Sequence, residues 1–423
     1  MGMLNNRDRK MPRPRSIHLV VTIFTLTIIF ASTTTLASAS TTGNTTTASV
    51  GGEEQEAVSS TTNTTNNNVS NATLGSLFLT EEAEFTSFNP TNKTYIEISF
   101  VGNATIMPPN ATNTINAIET GNITLNIQPN GVNFAQGQSL LVIDEGDNGA
   151  QEEEENATTT FVELSRVGPG DTGSGTGVVS FSTNSTGQLA FLDNMLAIYQ
   201  HEMYPGVDTI REWEWKGGTL PLETGGSARS MGEQEAVSST TNTTNNNVSN
   251  AALGSLFLTG ENIEFNVNPI NETYSVISYL GSRIIMPPNA PGIVINATET
   301  GNVTSNIQPN GLSIEQGQGF IVTEDGSAAE KEENATFTYV MLSRANPDGT
   351  GAGTGVAFFN TNSTGQLAFL DNMLAIAHVE FSPEGSTLKT WEWNGGTLPL
   401  ETGGAGAPTT TGNQTTTITS APE

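Results

Sequence analysis

The sequence predicts an all-β protein of two tandem eight-stranded antiparallel barrels joined by a disordered linker, with paired β-sandwiches as the alternative. Three observations carry this prediction. Apolar residues recur with period two and almost nowhere with a helical period. Turn residues punctuate the chain at short intervals. The chain also repeats itself at a spacing of about 179 residues, far longer than a solenoid period, so each copy has the size of a domain.

The repeat is explicit. EQEAVSSTTNTTNNNVSNA runs from Glu54 to Ala72 and again from Glu233 to Ala251. LGSLFLT recurs at Leu74 and Leu253, MPPN at Met107 and Met286, NIQPNG at Asn126 and Asn306, and LSR at Leu164 and Leu342. NSTGQLAFLDNMLAI recurs at Asn184 and Asn362, and WEW followed by GGTLPLETGG at Trp213 and Trp391. The β domains are therefore placed at 74–222 and 253–400, each expected to bury a core of its own.

In the first unit the strands are expected near 74–85, 94–106, 118–127, 138–145, 158–167, 176–183, 188–203 and 209–215. Ile96, Ile98 and Phe100 alternate with Glu97 and Ser99, the signature of a strand with one buried face. Val178, Val179 and Phe181 lead into the turn Asn184-Ser185-Thr186-Gly187, after which a long strand is expected. The stretch from Leu189 to Ile198 is apolar on both faces, and barrel closure removes exposed edges, so the barrel is preferred to the sandwich.

The flanks read differently. Residues 1–39 carry Arg7, Arg9, Lys10, Arg13 and Arg15 before an apolar run from Ile17 to Phe30 and the small residues Ala37-Ser38-Ala39, the order of a secretory signal peptide. An N-terminal anchor is the alternative, although the run is shorter than the ~20 residues that span a bilayer. Segments 40–73 and 223–252 are disordered Ser/Thr/Asn linkers, and 401–423 is a disordered Thr-rich tail, each with too little apolar surface to offset ordering entropy. The expected location is extracellular or cell-surface, with no membrane insertion beyond the N-terminal segment.

Composition narrows the chemistry. The 423 residues hold 14 basic and 43 acidic side chains, a formal charge of −29, which excludes ordinary nucleic-acid binding. Loss of the leader removes five basic residues and one acid and takes −29 to −33. With no cysteine there is no disulfide framework or thiolate chemistry, and three histidines make histidine-built metal sites improbable. Asn-x-Ser/Thr acceptors at Asn63, Asn68, Asn92, Asn122, Asn156 and Asn184 have counterparts at Asn242, Asn247, Asn271, Asn302, Asn334 and Asn362, so glycosylation of such sites is expected.

Candidate sites are few. Asp193-Asn194 and Asp371-Asn372 interrupt LAFL-DN-MLAI in both copies, and Arg166 and Arg344 also match; an Arg166–Asp193 pair inside each barrel would orient a ligand, with Trp215 and Trp393 beside it near the mouth. Structural pairing or a bulge, and core packing of the tryptophans, are the bland explanations. Asp144, Asp147 and Asn148 partly imitate a calcium loop and would hold calcium weakly; otherwise no cofactor is expected. Aligning the copies sets His201 against Val379 and His378 against Gln200, so the two histidines face opposite sides of their strands and share no role. Glu202 and Arg211, and likewise Glu380 and Lys389, are expected to pair across a hairpin.

The run from the glycine-rich hairpin loop Asp171-Thr172-Gly173-Ser174-Gly175 through NSTGQLAFLDNMLAI to WEW resembles secreted, uncharacterised archaeal tandem-domain proteins of calycin-like or allene-oxide-cyclase-like barrel pattern. The resemblance implies an eight-stranded barrel with an apolar cavity and transfers no catalytic residue. The expected function is a non-catalytic surface or binding role in a secreted or envelope glycoprotein, with envelope components or a small apolar ligand as partners. Alternatives are a small apolar ligand-binding barrel and an enzyme of cyclase or isomerase type.

Overall fold

The structure is a computed structural model that describes residues 73–109, 111–143, 155–169, 172–218, 220, 253–324, 332–396 and 398. Residues 1–72, 221–252 and 399–423 lie outside them, and with them the expected signal segment, the expected linkers apart from Thr73, and the expected tail. The first barrel comprises β1 (Leu74–Pro90), β2 (Tyr95–Ile106), β3 (Ile115–Ile127), β4 (Asn133–Ile143), β5 (Asn156–Val167), β6 (Gly173–Ser182), β7 (Leu196–Tyr204) and β8 (Val207–Trp215). The second comprises β9 (Leu253–Pro269), β10 (Tyr274–Ile285), β11 (Ile295–Ile307), β12 (Leu312–Thr323), β13 (Asn334–Ala345), β14 (Gly351–Asn360), β15 (Met373–Ser382) and β16 (Gly385–Trp393).

Each barrel is an antiparallel meander closed by its last strand on its first, with Thr80 opposite Arg211 in one and Thr259 opposite Lys389 in the other. Closure leaves no unpaired sheet edge. Turn chemistry sets the hairpins: the Asn92 and Asn271 side chains each accept the backbone N–H two residues on, and Gly206 supplies a φ of +96° between β7 and β8.

One expectation needs correction. Residues 188–203 do not form one strand. Ala190–Leu192 is a 3₁₀ turn, and β7 begins only at Leu196; the second copy has the same turn at Ala368–Leu370. Leu189 and Leu192 are wholly buried and plug that end of the first lumen, as Leu367 and Leu370 plug the second. A carboxylate holds each plug down. Glu155 accepts the Ser185 hydroxyl and the Leu189 N–H at 3.0 Å; Glu333 accepts the Ser363 hydroxyl and the Gln366 and Leu367 N–H groups, both at 2.8 Å. These bonds outweigh burial and lower both carboxyls below the usual glutamate value.

A second difference concerns the cores. Each barrel has an inner core, but the outer faces of β5 to β8 and of β13 to β16 form a third core shared by both halves. Val162, Leu164, Val178 and Ile198 meet Val340, Leu342, Val356 and Ile376 there. The seam has a local two-fold character: Trp213 packs edge-on against Trp393 at 6.1 Å between centroids, and Trp215 against Trp391 at 5.8 Å. Gln316 donates to Gln136, its own counterpart, at 3.4 Å. Each half thus offers the other the same patch, the geometry of an isologous interface. This explains why the sequence is apolar on both faces here: one face meets the lumen and the other meets the second barrel.

Candidate functional site

The inward residues distinguish the two barrels. In the first lumen Tyr199 and His201 of β7, Asp208 and Glu212 of β8, Glu163 of β5, Glu119 of β3 and Glu81 of β1 converge on a remnant space of about 40 Å³. That is room for little more than one water at ~30 Å³. Glycines opposite the large groups make the filling possible: a Cβ on Gly177 would lie 2.3 Å from the Tyr199 ring, and Gly102 and Gly175 similarly face Glu81 and Glu163.

The charges of this lumen are organised around His201. Its Nδ1 lies 3.2 Å from Glu163 Oε2 and its Nε2 3.1 Å from Asp208 Oδ2. Burial alone would depress the imidazole, but the Glu163 charge and the bonds to both carboxylates outweigh it and push the ring up to about 10. His201 is therefore a fixed imidazolium at neutral pH. Glu81 and Glu119 share a hydrogen bond, and burial followed by the Glu119 charge raises Glu81 well above the glutamate norm. Burial also raises Glu119, with bonds from Glu81 and Ser139 partly offsetting it. Glu212 is raised by burial and by Glu119. Each of these carboxyls therefore keeps its proton to higher pH than it would in water.

The second lumen inherits the same frame with different contents. Ala377, Val379, Ser386, Thr390 and Gly260 stand where the first copy has Tyr199, His201, Asp208, Glu212 and Glu81. Five bulky groups become small ones, and a cavity of about 310 Å³ opens. Arg283, Tyr339 and Glu315 stand where the first copy has Ala104, Phe161 and Ala135, but they line the wall without filling the space. Asn262, Tyr279, Glu299 and Ser382 also contribute polar groups, and much of the remaining lining is apolar, including Leu258, Ile277, Phe337, Met341 and Phe359. The plugged end is closed; the other end, at Phe265 and Phe381, faces out, and Phe265 is 49% exposed.

The charged groups of the second lumen and Tyr279 are bonded within the barrel wall. Arg283, fully buried, donates to Glu299 through Nε at 2.7 Å and Nη2 at 3.0 Å. Tyr279 donates its hydroxyl to Glu299 at 2.9 Å, and Ser343 donates to Glu315. Burial raises Glu315 despite the Ser343 bond, and burial followed by nearby glutamates raises Tyr279 and Tyr339. The Ser386 hydroxyl, 6% exposed, has no hydrogen-bond partner.

The residues singled out from sequence fall elsewhere. Arg166 lies on the outer face of β5, its guanidinium 4.9 Å from the Phe358 ring, in a hollow of about 580 Å³ shared with Asp371 and Asn372. The expected grouping of Arg166 with Asp193 inside one barrel is thus replaced by a grouping across the seam. Arg344, on the matching outer position of β13, is buried. Asp193 and Asn194 sit exposed in the turn after the plug. Asn194 and Asn372 have φ of 59° and 56°, a left-handed conformation that asparagine tolerates, so the polar pair is turn chemistry. Trp215 and Trp393 are not near a mouth but in the seam.

Asp144, Asp147 and Asn148 lie outside the described residues, as do Asn63, Asn68, Asn242 and Asn247. Asn92, Asn122, Asn156, Asn184, Asn271, Asn302, Asn334 and Asn362 are all exposed. Among the described residues no cluster of His, Asp and Glu is arranged to hold a metal ion, and no helix is long and apolar enough to cross a membrane. Arg211 pairs with Glu202 at 3.1 Å, whereas Glu380 stands 3.9 Å from His378 Nε2 and forms no ion pair with Lys389. His378 lies in the seam, 6.3 Å from the Trp215 ring, and His201 in a lumen, on opposite strand faces as the alignment requires.

The lumen-facing glutamates, Arg283 and the tyrosines were missed as a site because period two says which residues share a face but not which face turns inward. The signal available was the contrast between copies. No protein-family model matches the chain, and no curated protein is similar to it.

Proposed function

We propose that this is an exported glycoprotein whose second barrel carries a small apolar molecule, while the first barrel is its filled, structural partner. The observation that supports this is the 310 Å³ cavity, present in one barrel and reduced to about 40 Å³ in the other on the same frame. Its size falls in the ~300–1,000 Å³ range of small-molecule sites, and its wall is apolar with a few fixed polar groups. The leader, the acidic surface and the exposed sequon asparagines support export and sugar attachment, and a calycin-like relationship accords with a hollow barrel.

Calorimetric titration of the full chain with toluene tests the carrier. Saturable binding at one site is expected, and its absence would remove the reading. A second reading has one observation in its favour: Glu315 and Tyr339, both raised by burial, face the cavity together, a pair suited to proton transfer in an isomerase or cyclase. Turnover abolished by Glu315→Gln without loss of toluene affinity is the result this second reading requires.

A further inference from the structure

The polar wall of the second lumen also specifies what kind of apolar molecule fits. Five N–H donors belong to Arg283, the one cationic side chain in the lining, and all five are occupied. Nε and one Nη2 hydrogen go to Glu299; the other Nη2 hydrogen goes to Asn262 Oδ1; Nη1 donates to the Glu261 carbonyl at 3.0 Å and to the Ser282 carbonyl at 2.9 Å. An anionic ligand would have to break this set and leave Glu299 buried without its cation. It would also meet Glu315, whose carboxyl faces the same space. A cationic ligand gains little from Glu299, which Arg283 already neutralises, and it would enter beside the Arg283 guanidinium, a like charge in the same wall.

What remains open is a neutral handle. Ser386 projects from β16 into the cavity, is nine-tenths buried, and its hydroxyl has no partner. A buried hydroxyl left unbonded is costly, and a ligand oxygen would satisfy it. We infer that the cavity of the second barrel selects uncharged ligands of about ten non-hydrogen atoms bearing one hydroxyl or carbonyl oxygen, anchored on Ser386, and rejects carboxylates of the same length. The length follows from 310 Å³ at ~30 Å³ per water-sized group. This inference rests on the carrier reading above.

The test is calorimetric titration of the full chain with 1-octanol, octanoate and octylamine, with toluene as the uncharged reference lacking a handle. 1-Octanol is expected to bind tightest. Octanoate should be at least a hundredfold weaker at pH 7, because a carboxyl of pKa ~4.3 must take up a proton to enter, and it should recover about tenfold per unit as the pH falls toward 5.5. Ser386→Ala should weaken 1-octanol about three- to tenfold, the worth of one hydrogen bond, and leave toluene unchanged. Octanoate within tenfold of 1-octanol at pH 7, octylamine tighter than 1-octanol, or an unaltered 1-octanol affinity in Ser386→Ala would each overturn the inference while toluene binding keeps the carrier reading intact. Failure of toluene and 1-octanol together would defeat the carrier reading itself.

Discussion

Replacing Ala377 by tyrosine should convert the hollow barrel into a copy of the filled one. Ala377 pairs with Gly355 as Tyr199 pairs with Gly177, and the slot over the glycine is preserved in both barrels. In the first barrel the Tyr199 hydroxyl reaches the Val162 carbonyl at 3.4 Å, and Val340 offers the matching carbonyl in the second. A phenol ring with its methylene takes up about 100 Å³, a third of the space, and at ~24 cal/mol per Å³ of unfilled core the gain is about 2 kcal/mol. For domains of this size that corresponds to a rise of roughly 4–8 °C in melting temperature. Toluene affinity should fall at least tenfold in the same variant. Denaturant titration and calorimetry read the two effects on one sample. A destabilised Ala377→Tyr variant that still binds toluene like the parent would refute the assignment of this cavity as both empty and the binding site.

Three further outcomes are expected. The first barrel should lose stability as pH rises: His201, held near 10 against an unfolded value of 6.5, contributes fully below 6.5 and loses that contribution through 10, an upper bound of about 5 kcal/mol at ~1.4 kcal/mol per unit. The raised carboxyls of Glu81, Glu119 and Glu212 act in the same direction from 4.5 upward, so melting temperature should decline from pH 4.5 to 10, with the His201 part falling between 6.5 and 10, and the decline above 4.5 should be shallower in Glu81→Gln; a flat profile would contradict this. Arg283→Met should cost about 3–5 kcal/mol by stranding Glu299, whereas Arg283→Met with Glu299→Met should recover most of it in equilibrium unfolding. Trp215→Ala should cost about 3–5 kcal/mol by opening the seam against Trp391, and a loss under 1 kcal/mol would mean that the seam contributes little.

The strands were legible because hairpins and period-two patterns are local. Ile96, Ile98 and Phe100 point inward as their alternation implies, and all eight strands of the first unit lie where turn residues leave room for them. The plug was not legible, because LAFL reads equally as a strand when only its apolarity is considered; the left-handed Asn194 that ends it was the overlooked sign. The site was misplaced for a related reason. Positions shared by both copies, such as Arg166, Asp193, Trp215 and their counterparts, belong to the seam and the plug, where both halves face the same physical demand. Chemistry that differs between lumens lies at positions where the copies disagree, among them Tyr199 against Ala377 and Glu212 against Thr390.

The mutual patch that mates the halves would serve equally well for like with like, two hollow barrels or two filled ones, were they separate chains. Covalent continuity raises the local concentration of the unlike mate and suppresses both self-matched pairs. Every molecule therefore presents one hollow chamber and one filled by its own side chains, and a protease cut between residues 223 and 252 should nick the chain without parting it.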